Sequence, residues 1–163
     1  MTDVPTSGTM FFEDLKPDTV IVSPARTVTE HDVAAFAGLS GDYNPLHTDA
    51  EFARATPYGE RIAHGLLGLS IASGLASRVG VLEGSALAFR DLEWQFRRPI
   101  LFGDTIHTVV RVKTCREAPA MGGGLVSFDV RLLNHRDEVV QRGVWNVLVR
   151  LRPVSGAGAG AAG

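Results

Sequence analysis

Cysteine is the residue this chain has least of. The 163 residues contain one, Cys115, which rules out an intrachain disulfide framework and suits a reducing, cytoplasmic setting. No metal-ligand spacing accompanies it, so Cys115 reads as a packing residue. An excess of charge of one sign is missing too. Sixteen Lys and Arg against 18 Asp and Glu give a formal net charge of −2, without the basic footprint that nucleic acid binding leaves. Long apolar runs are absent as well. The only membrane candidate, Gly65 to Ser77, is uncharged but falls short of the ~20 residues a spanning helix needs, and Ser70, Ser73 and Ser77 interrupt it. The first ten residues lack the basic start and apolar stretch of a signal peptide. No internal repeat and no metal-binding cluster stands out.

What is present is ordinary globular material, 45% hydrophobic and 21% charged, enough for one domain with a real core. We expect residues 1–154 to form it. Residues 155–163, almost pure Ala and Gly, are expected to be a disordered tail. Val20 to Val28 reads as an opening strand. Thr29 with Asp32 three positions on predicts a helix start, Val33, Ala34, Phe36 and Ala37 an apolar stripe, and Gly38 a stop. Ala50 to Ala55 predicts a short helix and Thr56-Pro57-Tyr58-Gly59 a turn. A helix starting near Gly65 is apolar on nearly all sides and is expected inside the protein, with Gly68 and Gly74 allowing close packing.

The second half alternates with period two. Leu92, Trp94 and Phe96 fall on one face, as do Ile106, Thr108, Val110 and Val112. So do Val126, Phe128, Val130 and Leu132, then Trp145, Val147, Val149 and Leu151. Such runs predict an antiparallel sheet with one buried face. Leu87 and Phe89 are out of phase with Leu92, which predicts a bulge near Arg90-Asp91. One apolar helix followed by antiparallel strands makes the class α+β, a curved sheet wrapped around a helix, the hot-dog arrangement.

Chemistry concentrates in Ser40-Gly41-Asp42-Tyr43-Asn44-Pro45-Leu46-His47 and in Ala63-His64-Gly65. Gly41 admits unusual backbone angles, while Pro45 fixes its own φ and pushes Asn44 toward extended conformation. The resulting turn can aim a carboxylate and an imidazole at one point, as water addition or removal requires. Each residue also has a plainer reading. Asp42 alone could close an Asx turn, Gly65 could serve packing only, and Ser73 could be a small core residue. His64 reads as structural, and His31, His107 and His135 as surface residues.

These pieces, with Arg98-Pro99-Ile100-Leu101-Phe102-Gly103-Asp104-Thr105 as a Pro-x-x-x-Gly-Asp strand start, closely resemble the MaoC-like hydratases, (R)-specific enoyl-thioester hydratases of the hot-dog fold. The resemblance implies Asp42 and His47 as the catalytic pair. It implies Gly65 as the backbone donor to the thioester carbonyl, Asn44 as an orienting residue and Ser73 as lining the site; Tyr58 would border the pocket. It implies a substrate carried on coenzyme A or acyl-carrier protein, no cofactor, and a homodimer or a dimer of dimers in which the exposed strand edges pair. Two other functions compete. A hot-dog thioesterase would use the same oxyanion donor, and a noncatalytic acyl-thioester-binding subunit would tolerate loss of Asp42 or His47.

Overall fold

A computed structural model of the chain describes residues 8–153. The expected Ala/Gly tail at 155–163 lies outside the described residues. Short strands β1 (Val20–Val22) and β2 (Arg26–Thr27) lead into helix α1 (Glu30–Ser40) and two brief helices, α2 (Pro45–Thr48) and α3 (Ala50–Arg54). Helix α4 (Gly65–Arg78) follows, then strands β3 (Ala86–Phe96), β4 (Thr105–Ala118), β5 (Gly123–Asn134) and β6 (Val139–Arg150). All six strands form one antiparallel sheet in the order β1-β4-β5-β6-β3, with β2 also on β4. The sheet curls around α4, as the hot-dog expectation required.

Burial follows the period-two pattern in β4, β5 and β6 but not in the edge strand β3, where Leu92 and Phe96 are exposed. Ile106, Thr108, Val110 and Val112 of β4, Val126, Phe128, Val130 and Leu132 of β5, and Trp145, Val147 and Val149 of β6 are buried against Leu67, Ile71, Ala72 and Leu75 of α4. The expected bulge is there: the β3–β6 register shifts between Phe89 and Asp91. The opening strand, by contrast, is broken in two. Pro24 has no N–H for the ladder, and Thr108 N donates to the side-chain Oγ of Ser23 at 2.8 Å where a backbone carbonyl would otherwise serve.

Helix α1 starts as expected. Thr29 and Asp32 form a reciprocal capping box. It ends two positions past Gly38, at Ser40, because the residue that turns left-handed is Gly41 (φ 77°), whose N–H bonds Ala37 O at 2.9 Å. Helix α4 is not enclosed on all sides in the single chain. Leu66 is 59% exposed, and Ser70, Ser73, Gly74 and Ser77 share the open face. Gly68 does serve close packing, since a Cβ there would collide with Gln141 and Ile100. Gly74 has open space around it, so packing does not require its glycine. Among the described residues no helix is long and apolar enough to cross a membrane.

Candidate active site

The turn between α1 and α2 is held by its own side chains. Ser40 Oγ donates to Phe36 O at 2.7 Å and accepts from Asp42 N at 3.2 Å. Asp42 Oδ1 accepts from Asn44 N at 3.2 Å, the Asx turn that the plainer reading foresaw. Asn44 Oδ1 accepts from Leu46 N at 3.0 Å, capping α2, whose first residue is Pro45. Asn44 thus spends its carboxamide oxygen on the backbone: it shapes the turn, and it does not line the cavity beside it.

Two histidines then fix the orientation of the pair. His47 Nδ1 lies 2.8 Å from Ile62 O, and His64 Nε2 lies 2.9 Å from Asp42 O. A carbonyl oxygen only accepts, so each of these ring nitrogens carries a proton. That leaves Nε2 of neutral His47 with a free lone pair. The imidazoles of His47 and His64 stack with centroids 3.8 Å apart, and Phe36 covers the far side of His64 at 5.0 Å. His64, expected to be structural, is 2% exposed and braces both members of the pair, with its Nδ1 left unpartnered. Asp42, His47 and His64 each place one ligating atom within 4.8 Å of the others, a spacing that a cation could also use.

These groups open into a cavity of about 860 Å³ lined by Asp42, His47, Tyr58, Gly65, Phe96 and Ile100, among others. Gly65 is the first residue of α4. The N–H groups of a first helical turn have no intrahelical acceptor, and the helix dipole adds positive character there. His64, at the cap position, supplies no side-chain cap. Gly65 is also required sterically, because a Cβ would come within 2.8 Å of the Phe96 ring.

The Pro-x-x-x-Gly-Asp segment builds the floor. Asp104, 3% exposed, accepts from Leu101 N at 2.9 Å, and Gly103 turns at φ 88°. This turn presents Ile100 O to Ala63 N at 2.8 Å, and Ile62 bridges Leu101. The floor and the segment before α4 are stitched together in this way.

Ser73 stands elsewhere. It lines a second, mostly apolar cavity of about 420 Å³ between the C-terminal half of α4 and the sheet, with Phe89, Phe128 and Trp145. Gln141 escaped sequence reasoning. Buried on β6, it donates from Nε2 to Gly65 O at 3.0 Å and accepts from Trp94 Nε1 at 2.9 Å. Nothing in its local sequence marks it; only the inward parity of β6 could have pointed to it.

A hot-dog domain with a carboxylate and an imidazole converging on one cavity beside the start of its central helix defines a class, and comparison with known proteins gives it a family. The MaoC like domain matches residues 14–127, and the chain belongs to that family. An (R)-specific enoyl-CoA hydratase from Rhodospirillum rubrum is 37% identical over 103 residues, 63% of this chain and 69% of the relative. A 3-hydroxybutyryl-CoA dehydratase from Methylorubrum extorquens is 34% identical over 110 residues, 67% of this chain and 68% of the relative. Among solved structures, one from Archaeoglobus described as a monoamine oxidase regulatory protein superposes with a TM-score of 0.83 at 35% identity, covering 92% of this chain and all of the other.

Proposed function

We propose that the protein reversibly hydrates trans-2-enoyl thioesters to (3R)-hydroxyacyl thioesters, with Asp42 and His47 as the catalytic pair. The observation that carries this is their convergence beside Gly65, with His47 Nε2 left free by the Nδ1–H···O=C Ile62 bond. A water held between the carboxylate and Nε2 loses a proton to the pair as its oxygen adds to C3. The pair returns a proton to C2 from the same side, so one H–OH crosses the double bond. Charge that builds on the thioester oxygen meets the Gly65 N–H, a donor whose loss costs about 3 kcal/mol of barrier in comparable sites. The two bacterial relatives are named for opposite directions of one reaction, hydration and dehydration.

A homodimer completes the reading. Strand β3 is a long sheet edge carrying Phe89 at 49% and Phe96 at 56% exposure, and an apolar edge of this kind calls for pairing. The single cysteine suits the cytoplasm, where we place the enzyme.

Crotonyl-CoA tests the reaction. Loss of the enoyl absorbance with formation of the (3R)-alcohol is expected. Release of free thiol would indicate a thioesterase, and no turnover a binding subunit; either overturns the proposal. Light scattering after size exclusion tests the dimer, and a fully active monomer would refute it.

A further inference from the structure

Beyond the catalytic cavity lies a second feature with no role in the chemistry above. Arg97, Arg98, Arg131 and Arg142 line a surface cavity of about 550 Å³ on the outer face of the sheet and the strand end beyond β3. Phe96, Arg97 and Arg98 line both this cavity and the catalytic one, so the two are adjacent. The charge here is poorly compensated. Arg131 and Arg142 stand directly opposite each other across the β5–β6 ladder, an arrangement of like charges that costs stability. Among the described residues, Arg97 and Arg142 form no ion pair, and Arg142 reaches only Gln95 Oε1 at 3.3 Å. Arg131 meets Asp129 at 3.2 Å. Glu138, the one carboxylate in the cavity wall, is 3.7 Å from Arg98 and is already shared with Arg136 at 3.1 Å and Asn134 at 2.9 Å. Four guanidinium groups against the divided Glu138 and the Asp129 that meets Arg131 leave an excess of positive charge beside the catalytic cavity.

We propose that Arg97, Arg98, Arg131 and Arg142 bind the phosphorylated head of the substrate's carrier, and that this carrier is coenzyme A. The proposal rests on the hydratase reading for the identity of the bound thioester. Guanidinium forks match phosphate oxygens in geometry as well as charge. A carrier protein presents a single phosphodiester at the root of the same pantetheine arm. The nucleotide head of coenzyme A brings a diphosphate and a 3′-phosphate, a polyanion matched to several arginines around one cavity.

The test compares wild type with Arg131→Gln/Arg142→Gln. Calorimetric titration with free coenzyme A is expected to show binding weakened about tenfold or more in the variant. With crotonyl-CoA, kcat/KM is expected to fall by a similar factor, through KM, and by far more than with crotonyl-N-acetylcysteamine, which has no phosphate. An equal loss on both thioesters, or undiminished coenzyme A binding, would overturn the proposal. So would a larger loss with crotonyl-carrier protein than with crotonyl-CoA, which would make the cluster a docking surface for an acidic protein. Calorimetry needs no turnover, so failure of the arginine site and failure of the hydratase reading remain distinguishable. Should the double variant not fold, Arg97→Gln alone and the salt response of wild type carry the test. Raising KCl from about 50 to about 500 mM should weaken coenzyme A binding several-fold; insensitivity to both would refute the site.

Discussion

The two walls of the catalytic cavity are built by different means. The wall bearing Asp42 and His47 is largely local: the hydrogen bonds within its turn join residues two to five positions apart, and two longer ones aim it, His47 to Ile62 across 15 positions and His64 to Asp42 across 22. The opposite wall is assembled from a distance. Gln141 reaches Gly65 across 76 positions and Trp94 across 47, and Phe96 closes on Gly65 from the end of β3. The local wall carries the pair proposed to be catalytic, while the distant wall sets where the helix start stands relative to it. Chemistry and placement are therefore separable, and substitutions on the two walls should fail in different ways.

The largest effect belongs to the local wall. Asp42→Asn and His47→Gln should each lower kcat/KM for crotonyl-CoA by about 10²-fold or more, with melting temperature little changed because both side chains reach the cavity. The double variant should be scarcely worse than either single one, since the two act as a unit. Near-normal turnover by either folded single variant would break the comparison.

On the distant wall the damage should appear first as stability. Gly68→Val drives a side chain into Gln141 and Ile100 and should cost about 1–3 kcal/mol. Gly74→Ala, on the open face of the same helix, should be neutral or stabilising by up to about 1 kcal/mol. Urea denaturation of the two variants measures the difference. Equal costs would mean that the close approach at Gly68 is not what its glycine provides. Gln141→Leu strands two partly buried partners, Trp94 Nε1 and Gly65 O, and should cost about 1–3 kcal/mol. It should also slow turnover without moving the pH profile, because Gln141 holds the helix start and transfers no proton.

This division also explains what the sequence made legible. Asp42, Asn44 and His47 could be read because a turn built from neighbours leaves its instructions in consecutive residues. The strands of the second half could be read because one buried face imposes period two. Gln141 could not, since a buried glutamine in an alternating strand looks like any inward residue until the register sets it against Gly65. Ser73 sits on the correct helix, but 3.6-residue periodicity does not say how far along that helix the cavity extends. Glycine marks helix ends, so in the sequence Gly38 reads as the stop of α1. Only the backbone distinguishes Gly38, inside the helix, from Gly41 at φ 77°.

The smallest expected effect tests how far the local wall depends on the helix that delivers it. Asp32 lies ten positions before Asp42, where it accepts from Thr29 N at 2.8 Å and pairs with Arg26. Burial alone would raise its pKa. The Thr29 N–H, the Arg26 guanidinium and the Thr29 hydroxyl outweigh that and hold it below the ordinary 3.8. A carboxylate with a depressed folded pKa contributes stability that is complete above the unfolded value and lost as pH falls through the folded one. Asp32→Ala should therefore cost about 1 kcal/mol at neutral pH, the usual worth of a helix cap. The gap to wild type should narrow once the pH drops below 3.8. Urea denaturation at neutral and acid pH measures both. Turnover by the folded variant should stay within about twofold of wild type, because the turn after α1 keeps its own hydrogen bonds. A gap independent of pH would assign the cost to lost packing, and a large fall in turnover would show that the Asp42–His47 turn borrows its geometry from the start of α1.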